Sequence, residues 1–110
     1  MNSIENIFSN LPQSTDEIIE ILVRSPNVRI ERIISSGNHS SDGFWYDQDE
    51  NEWVILLQGS AKIEFEEEMI DLKTGDYLLI PSHKKHRVAE TSSTEKTIWL
   101  AVFFTTPVGQ

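Results

Sequence analysis

The chain has 110 residues, no cysteine and a formal net charge of −9, from 18 acidic and 9 basic residues. This length suits one domain with its own core, and the missing thiols exclude disulfides, thiolate metal ligands and cysteine nucleophiles. The excess of carboxylates would repel a phosphate backbone, so the charge argues against nucleic-acid binding.

The start of the chain shows no targeting signal. The first residues lack the basic and apolar regions of a signal peptide, and every apolar run is far shorter than a membrane span. We therefore expect a cytoplasmic protein without a membrane partner.

Residues 1–24 predict a helical arm. The apolar residues Ile4, Ile7, Phe8 and Leu11 follow the spacing of one helix face. Ser14 and Glu17 match a capping box, and the apolar positions that follow it run to about Val23. We predict one or two short N-terminal helices that pack outside the domain.

The rest of the chain, residues 28–104, has the pattern of short strands. The predicted strands are 28–34, 44–46, 52–58, 61–65, 69–72, 77–80, 87–89 and 97–104. Turn signals recur about every ten residues, which is typical of an antiparallel sandwich or small barrel. No helical segment separates the strands, and this argues against a doubly wound α/β fold.

The most informative stretch is Gly75 to His86. Gly75 opens a turn, a short apolar strand follows, and Pro81 stops that strand because proline has no backbone N–H for a ladder. His83 and His86 come directly afterwards. A strand that delivers a histidine at its end is a common way to build a site.

Three side chains would converge if the sheet closes on itself. Glu52 opens an apolar strand, Asp47 lies five residues before it across a turn, and His86 ends the Gly75–Pro81 unit. Such a mixed nitrogen and oxygen set suits Mn²⁺, Fe²⁺ or Zn²⁺, with positions left open for substrate or water. Each residue also has an ordinary alternative, as an exposed strand end, a turn former or a surface histidine.

Two segments resemble the motifs of the cupin superfamily. Gly75-x5-Pro81-x-His83-x2-His86 resembles the second motif, G-x5-P-x-G-x2-H-x3-N, and Glu52-x6-Gly59 resembles the end of the first. The resemblance covers Gly37 to Phe104. It implies an all-β, antiparallel jelly-roll (cupin) barrel, often dimeric and often holding one divalent metal. The stretch Gly43 to Trp53 is similar to that of a small bacterial cupin subfamily without a settled function.

The chain departs from these motifs at several positions. The first-motif histidines fall on Trp45 and Asp47, or on Tyr46 and Gln48 in the alternative register. The inner glycine of the second motif is His83, and its final asparagine is Glu90. The resemblance therefore leaves Glu52 and His86 as metal ligands, with Asp47 as a substitute and the loop residues His39 and His83 as further candidates. Trp45, Tyr46 and Gln48 are the predicted substrate-pocket residues.

The sequence thus predicts a cupin that binds a divalent metal and a small molecule at the barrel mouth, and that could act as a metal-dependent enzyme. One alternative is a non-catalytic cupin that binds a small molecule without metal. Another is an interaction module in which the apolar strand Ile98 to Phe104 pairs with a second copy. A homodimer is compatible with all three.

Overall fold

Eight β-strands make up the regular structure of residues 3–105, the part of the chain that this computed structural model describes. They are β1 (Ile18–Arg24), β2 (Val28–Ser35), β3 (Asn51–Gln58), β4 (Ser60–Phe65), β5 (Met69–Lys73), β6 (Tyr77–Ile80), β7 (His86–Thr91) and β8 (Thr97–Phe104). Seven of the eight predicted strands are present with nearly the predicted bounds. The segment 44–46 instead contributes a single bridge, between Tyr46 and His86.

The strands form two antiparallel sheets that enclose the core. One sheet has the order β1-β2-β8-β3-β6 and the other has the order β5-β4-β7. Apolar residues of both sheets share one buried cluster, which includes Leu56, Phe65 and Trp99. The prediction of an all-β antiparallel fold is confirmed. Between residues 3 and 105, however, the strands form two separate sheets, so a closed barrel is not seen.

Alternation along β3 and β8 explains why these strands lie in the middle of the larger sheet. In β3, Glu52, Val54 and Leu56 are buried while their neighbours are half-buried, as the period of two requires. In β8, Trp99, Ala101 and Phe103 point to the same interior. The interior face of these two strands therefore carries one charged side chain, Glu52, among apolar neighbours.

The prediction of N-terminal helices is wrong, because residues 3–105 contain no helix. Residues 18–24 form the edge strand β1, which pairs along its length with β2. Four of its seven residues are the β-branched residues Ile18, Ile19, Ile21 and Val23, which favour strands. The ladder to β2 provides hydrogen-bond partners for the backbone groups that a helix would have paired internally. Pairing with β2 therefore decides whether this segment forms a helix or a strand.

The capping-box interpretation fails for a related reason. The Oγ of Ser14 accepts a hydrogen bond from the backbone N–H of Asp16, which is a local turn. The side chain of Glu17 accepts a hydrogen bond from the hydroxyl of Ser35 on β2 instead of reaching back to Ser14. The same residues thus lead into a strand.

A buried arginine attaches the N-terminal segment to the larger sheet. Arg32 of β2 donates hydrogen bonds to the backbone carbonyls of Ile7, Ser9 and Asn10. It also pairs with Glu20 of β1 at 2.6 Å. Only 6 % of Arg32 is exposed, so these acceptors replace the water that its guanidinium group would otherwise need.

The outer face of the larger sheet carries an apolar row that crosses all five strands. The strand register aligns Val23, Ile30, Val102, Trp53 and Leu79 side by side. Val23 and Leu79, at the two ends of the row, are about half exposed. Residues 3–105 contain no helix that is long and apolar enough to cross a membrane.

Candidate functional site

A cavity of about 260 Å³ lies between the two sheets. Its walls are mainly apolar and come from both sheets, with Trp99 and Phe103 from β8 and Ile63 and Val88 from the smaller sheet. Seven polar side chains also line it, namely Glu17, Arg29, Glu31, Tyr46, Gln48, Glu52 and His86. An apolar cavity with a few polar groups is the usual form of a small-molecule site.

A histidine and a glutamate meet across this cavity. His86, at the start of β7, belongs to the smaller sheet, and Glu52, near the start of β3, belongs to the larger one. Their Nε2 and Oε1 atoms are 3.5 Å apart, and both side chains are nearly buried, with 6 % and 11 % exposed. The pair thus links the two sheets at one end of the core.

Neighbouring groups fix the orientation of both side chains. The Nδ1 of His86 lies 2.9 Å from the carbonyl oxygen of Lys84, and because a carbonyl can only accept, Nδ1 carries a proton. Glu52 Oε1 accepts a hydrogen bond from Gln48 Nε2 at 3.1 Å. The second ring nitrogen, Nε2, is therefore directed at the carboxylate of Glu52.

This arrangement raises the pKa of His86. Burial by itself would lower the pKa of the imidazole, but the hydrogen bond with Glu52, the Lys84 carbonyl and the charge of Glu52 together outweigh it. A neutral imidazole protonated on Nδ1 would direct a lone pair at the carboxylate, whereas the charged form directs an N–H at it. The doubly protonated form is accordingly favoured more than in an isolated histidine.

The first prediction concerns the pH dependence of stability. Because the pKa of His86 is higher in the folded chain than in the unfolded chain, its contribution is fully present below the unfolded pKa and is lost as pH rises through the folded pKa. We expect the free energy of unfolding to fall more steeply with pH across this window in the wild type than in His86→Asn. Urea unfolding at a series of pH values measures both slopes, and equal slopes would contradict the expectation.

Tyr46 covers the His86 ring from the segment before β3. The two residues exchange backbone hydrogen bonds of 2.7 and 3.1 Å, and their rings stack with centroids 5.4 Å apart. The pKa of the Tyr46 phenol is raised by burial and then by the charges of Glu17, Glu52 and Glu31. Tyr46 therefore stays a neutral hydroxyl within range of three carboxylates.

A second ion pair lines the cavity on β2. Arg29 Nε contacts Glu31 at 2.7 Å, and its Nη1 contacts Glu50 at 2.8 Å. The guanidinium also lies over the ring of Phe103, 4.3 Å from the ring centroid. Arg29 is therefore paired with two carboxylates of the protein itself.

The structure brings together some of the sequence-predicted site residues. Glu52, His86, Tyr46 and Gln48 all line the cavity. Trp45, the third predicted pocket residue, is half-buried and is not part of the lining.

The other candidate ligands lie away from the Glu52–His86 pair. The carboxylate of Asp47 contacts Nδ1 of His83 at 2.7 Å, and Nε2 of the same ring contacts Asp49 at 3.1 Å. His83 is 61 % exposed and adopts a positive φ of 62° in the loop after β6. His39 is exposed, and its ring nitrogen contacts the Ser40 carbonyl.

The donor set does not make up the predicted metal site. A catalytic metal is usually held by three protein ligands, and the cavity places only His86 and Glu52 next to each other, while Asp47 is held by His83. Among residues 3–105, no group of three or more histidine, aspartate or glutamate side chains is arranged to hold a metal ion. The residues present therefore fit an ion pair better than a metal centre.

Sequence reasoning missed the contributions of Glu17, Arg29 and Glu31 to the cavity. The capping-box pattern assigns Glu17 to the start of a helix. In the structure, Glu17 instead directly precedes β1, at the end of the β1–β2 ladder. The alternation in β2 offered a signal for the other two, because Arg29 and Glu31 share a face with the apolar Ile33. Two charged residues on such a face indicate a polar patch inside the sandwich.

Comparison with known proteins identifies the type of fold. The model of the cupin domain family matches residues 35–103. The crystal structure of a candidate mannose-6-phosphate isomerase from Ralstonia eutropha JMP134 is 42 % identical, with a TM-score of 0.91 over 96 % of this chain and 100 % of that chain. No curated protein matches the chain.

Two more distant structures share the fold. A cupin superfamily protein from Desulfitobacterium hafniense is 23 % identical, with a TM-score of 0.74 over 87 % of this chain and 84 % of that one. The structure of Fe(II) HppE is 20 % identical, with a TM-score of 0.68 over 80 % of this chain and 50 % of that one. At these identities the likeness concerns the fold alone.

Proposed function

Because the chain belongs to the cupin family, we propose that it binds a small, mainly apolar molecule in the cavity between its sheets, without a metal. The observation that carries this proposal is the Glu52–His86 pair, which places two nearly buried, hydrogen-bonding side chains against the mainly apolar walls of the cavity. The cavity provides the fit for the apolar body of the ligand, and the polar side chains of its lining provide partners for the polar group of the ligand.

The size of the cavity limits the ligand. Its volume of about 260 Å³ is below the roughly 300–1,000 Å³ of pockets that bind drug-sized molecules. Trp99 and Phe103 supply flat apolar walls, and Tyr46 covers the end at which the pair lies. The ligand is therefore a compact cyclic or branched molecule.

The charge of the cavity argues against a phosphorylated ligand. The similar protein from Ralstonia eutropha is described as a candidate for action on mannose-6-phosphate. A phosphate group needs free cationic donors, but Arg29 is engaged by Glu31 and Glu50. His86 faces Glu52, so within the described residues the cavity lining offers no unengaged cation. We therefore do not propose mannose-6-phosphate as a ligand of this chain.

A metal-dependent enzyme is the second candidate function. Nε2 of His86 and the carboxylate of Glu52 are two of the ligand types that Mn²⁺, Fe²⁺ and Zn²⁺ accept. This function would need a third protein ligand beside the pair.

Binding measurements with a steric variant test the proposal. We expect compact alcohols, ketones and amides to stabilise the protein thermally and to shift NMR signals of residues that line the cavity. Val54→Phe would fill the cavity and weaken binding at least tenfold, while Ile55→Phe, on the opposite face of the same strand, would not. Treatment with a chelator should leave binding unchanged.

Elemental analysis of untagged protein separates the two candidates. Stoichiometric Mn, Fe or Zn that disappears in Glu52→Gln would overturn the metal-free proposal in favour of the metal-dependent one. Binding that is equal in wild type and Val54→Phe would place the ligand outside the cavity and overturn both.

The predicted homodimer remains a proposal. It is supported by the apolar row on the outer face of the larger sheet, which runs from Val23 to Leu79. A second copy of the chain offers the same row, so a two-fold axis would bring the two apolar rows face to face.

A further inference from the structure

The charges that line the cavity do not balance. Within the described part of the chain, three carboxylates line it, from Glu17, Glu31 and Glu52, but only two cationic side chains do, from Arg29 and His86. Glu31 pairs with Arg29 and Glu52 pairs with His86. Among residues 3–105, no cationic side chain lies within ion-pair distance of Glu17, whose side chain accepts one hydrogen bond, from Ser35 Oγ at 3.2 Å.

Glu17 lies at the rim of the cavity. It lines the inner cavity and also an outer hollow of about 330 Å³, formed with the loop 38–41 and Phe44. Tyr46 and Val88 are the other two residues common to both spaces. A ligand that passes from the hollow into the cavity would therefore pass the carboxylate of Glu17.

The surroundings of Glu17 favour a positively charged partner. Glu17 is exposed to solvent, yet partial burial of its carboxyl group raises the pKa more than the hydrogen bond from Ser35 lowers it, and a cation beside the carboxylate would offset that desolvation. Tyr46 lines both spaces together with Glu17, and its phenolic oxygen can accept a hydrogen bond from an ammonium group. The overall charge of −9 also favours the approach of a cation.

From this geometry we propose that the ligand is a small organic cation, a primary or secondary amine with an apolar body. Its ammonium group pairs with Glu17 beside Tyr46, and its body occupies the space between Trp99 and Val88. This inference rests on the proposed function and narrows it to one class of ligand. An organic cation suits the site better than a metal ion, because Glu17 is the single uncompensated carboxylate among the described lining residues and the walls are apolar.

A structural role for Glu17 is the competing explanation, since its hydrogen bond to Ser35 also ties the segment before β1 to β2. Two variants separate the roles. Glu17→Gln keeps an oxygen that can accept from Ser35 but removes the charge, and Ser35→Ala removes the hydrogen bond but keeps the charge.

Calorimetry with matched amines and alcohols tests the inference. Cyclohexylamine and benzylamine are compared with cyclohexanol and benzyl alcohol at neutral pH and low ionic strength. We expect wild type and Ser35→Ala to bind each amine at least tenfold more tightly than its alcohol, and Glu17→Gln to lose this preference. Glu66→Gln, which removes the same charge from the exposed β4–β5 turn, controls for the change in net charge.

The outcomes are distinguishable. Equal affinity for amines and alcohols in the wild type, or an unchanged preference in Glu17→Gln, would overturn the assignment of Glu17. If both series then still bound and lost affinity in Val54→Phe, the proposed cavity function would stand. Binding of neither series would overturn the cavity function and the inference together.

Discussion

Gly59→Ala should lower the free energy of unfolding by about 4 kcal/mol, the largest loss that we expect from a single methyl group. Gly59 joins β3 to β4 at a φ of +92°, where a side chain is strained. A Cβ atom there would lie 2.5 Å from Oγ1 and 2.9 Å from Cα of Thr97. Thr97 is fully buried in the central strand β8, so it cannot move aside.

Gly75→Ala is the matched control. Its φ of +93° is nearly the same, but nothing lies within 4 Å of the position of the added Cβ. We expect it to cost only the backbone strain, about 1–2 kcal/mol. Chemical denaturation of the wild type and both variants measures the difference. Equal losses of unfolding free energy in the two variants would show that the contact between the added Cβ and Thr97 does not destabilise the protein.

The second large effect is expected at the pair that links the sheets. His86→Leu should cost about 3 kcal/mol at a pH below the folded-state pKa of His86, because it leaves the carboxylate of Glu52 buried without its cation. Glu52→Leu should cost less, since the imidazole can lose its proton and still donate from Nδ1 to the Lys84 carbonyl. The double variant should be close to the wild type in stability, because neither charge is left buried alone.

A double-mutant cycle in urea measures this coupling. Additive losses in the double variant would mean that the two side chains do not interact in the folded protein. Lys62→Met is a suitable control, because Lys62 is about half exposed and contacts Asp71 and Glu90 only at 3.9 and 3.7 Å. Its effect should stay within about 0.5 kcal/mol.

Turns and strands can be predicted from a short stretch of sequence, because both leave a local pattern of residue types. Gly59 and Gly75 stand out by their spacing from Glu52 and Pro81, and both adopt the positive φ that favours glycine. The apolar runs of β3 and β8 are equally recognisable, because the period of two is a local property of the chain.

The N-terminal segment shows where local patterns fail. The apolar residues between Ile18 and Val23 fit a helix face as well as a strand, and Ser14 with Glu17 fits a cap. The choice depends on β2, which offers a ladder to residues 18–24 and a hydroxyl group to Glu17. No window of sequence contains that partner.

The candidate site divides in the same way. The positions of Glu52 and His86 at strand ends indicate that they belong together, and the structure places their side-chain atoms 3.5 Å apart. The partner of Asp47 could not be foreseen, because the loop after β6 brings His83 to it from 36 residues away. The same holds for Glu17 and Arg29, whose roles depend on which strand faces the cavity.

By itself, the sequence determined the positions of β2 to β8, the glycine turns, the acidic charge and the family motifs, because these depend on local periodicity, backbone limits and composition. Only the tertiary structure decided that residues 18–24 form an edge strand, that Asp47 pairs with His83, and that Glu17 lines the cavity without a cationic partner among the described residues. These features depend on long-range strand pairing, which sets the neighbours of each side chain and therefore the charge and shape of the site.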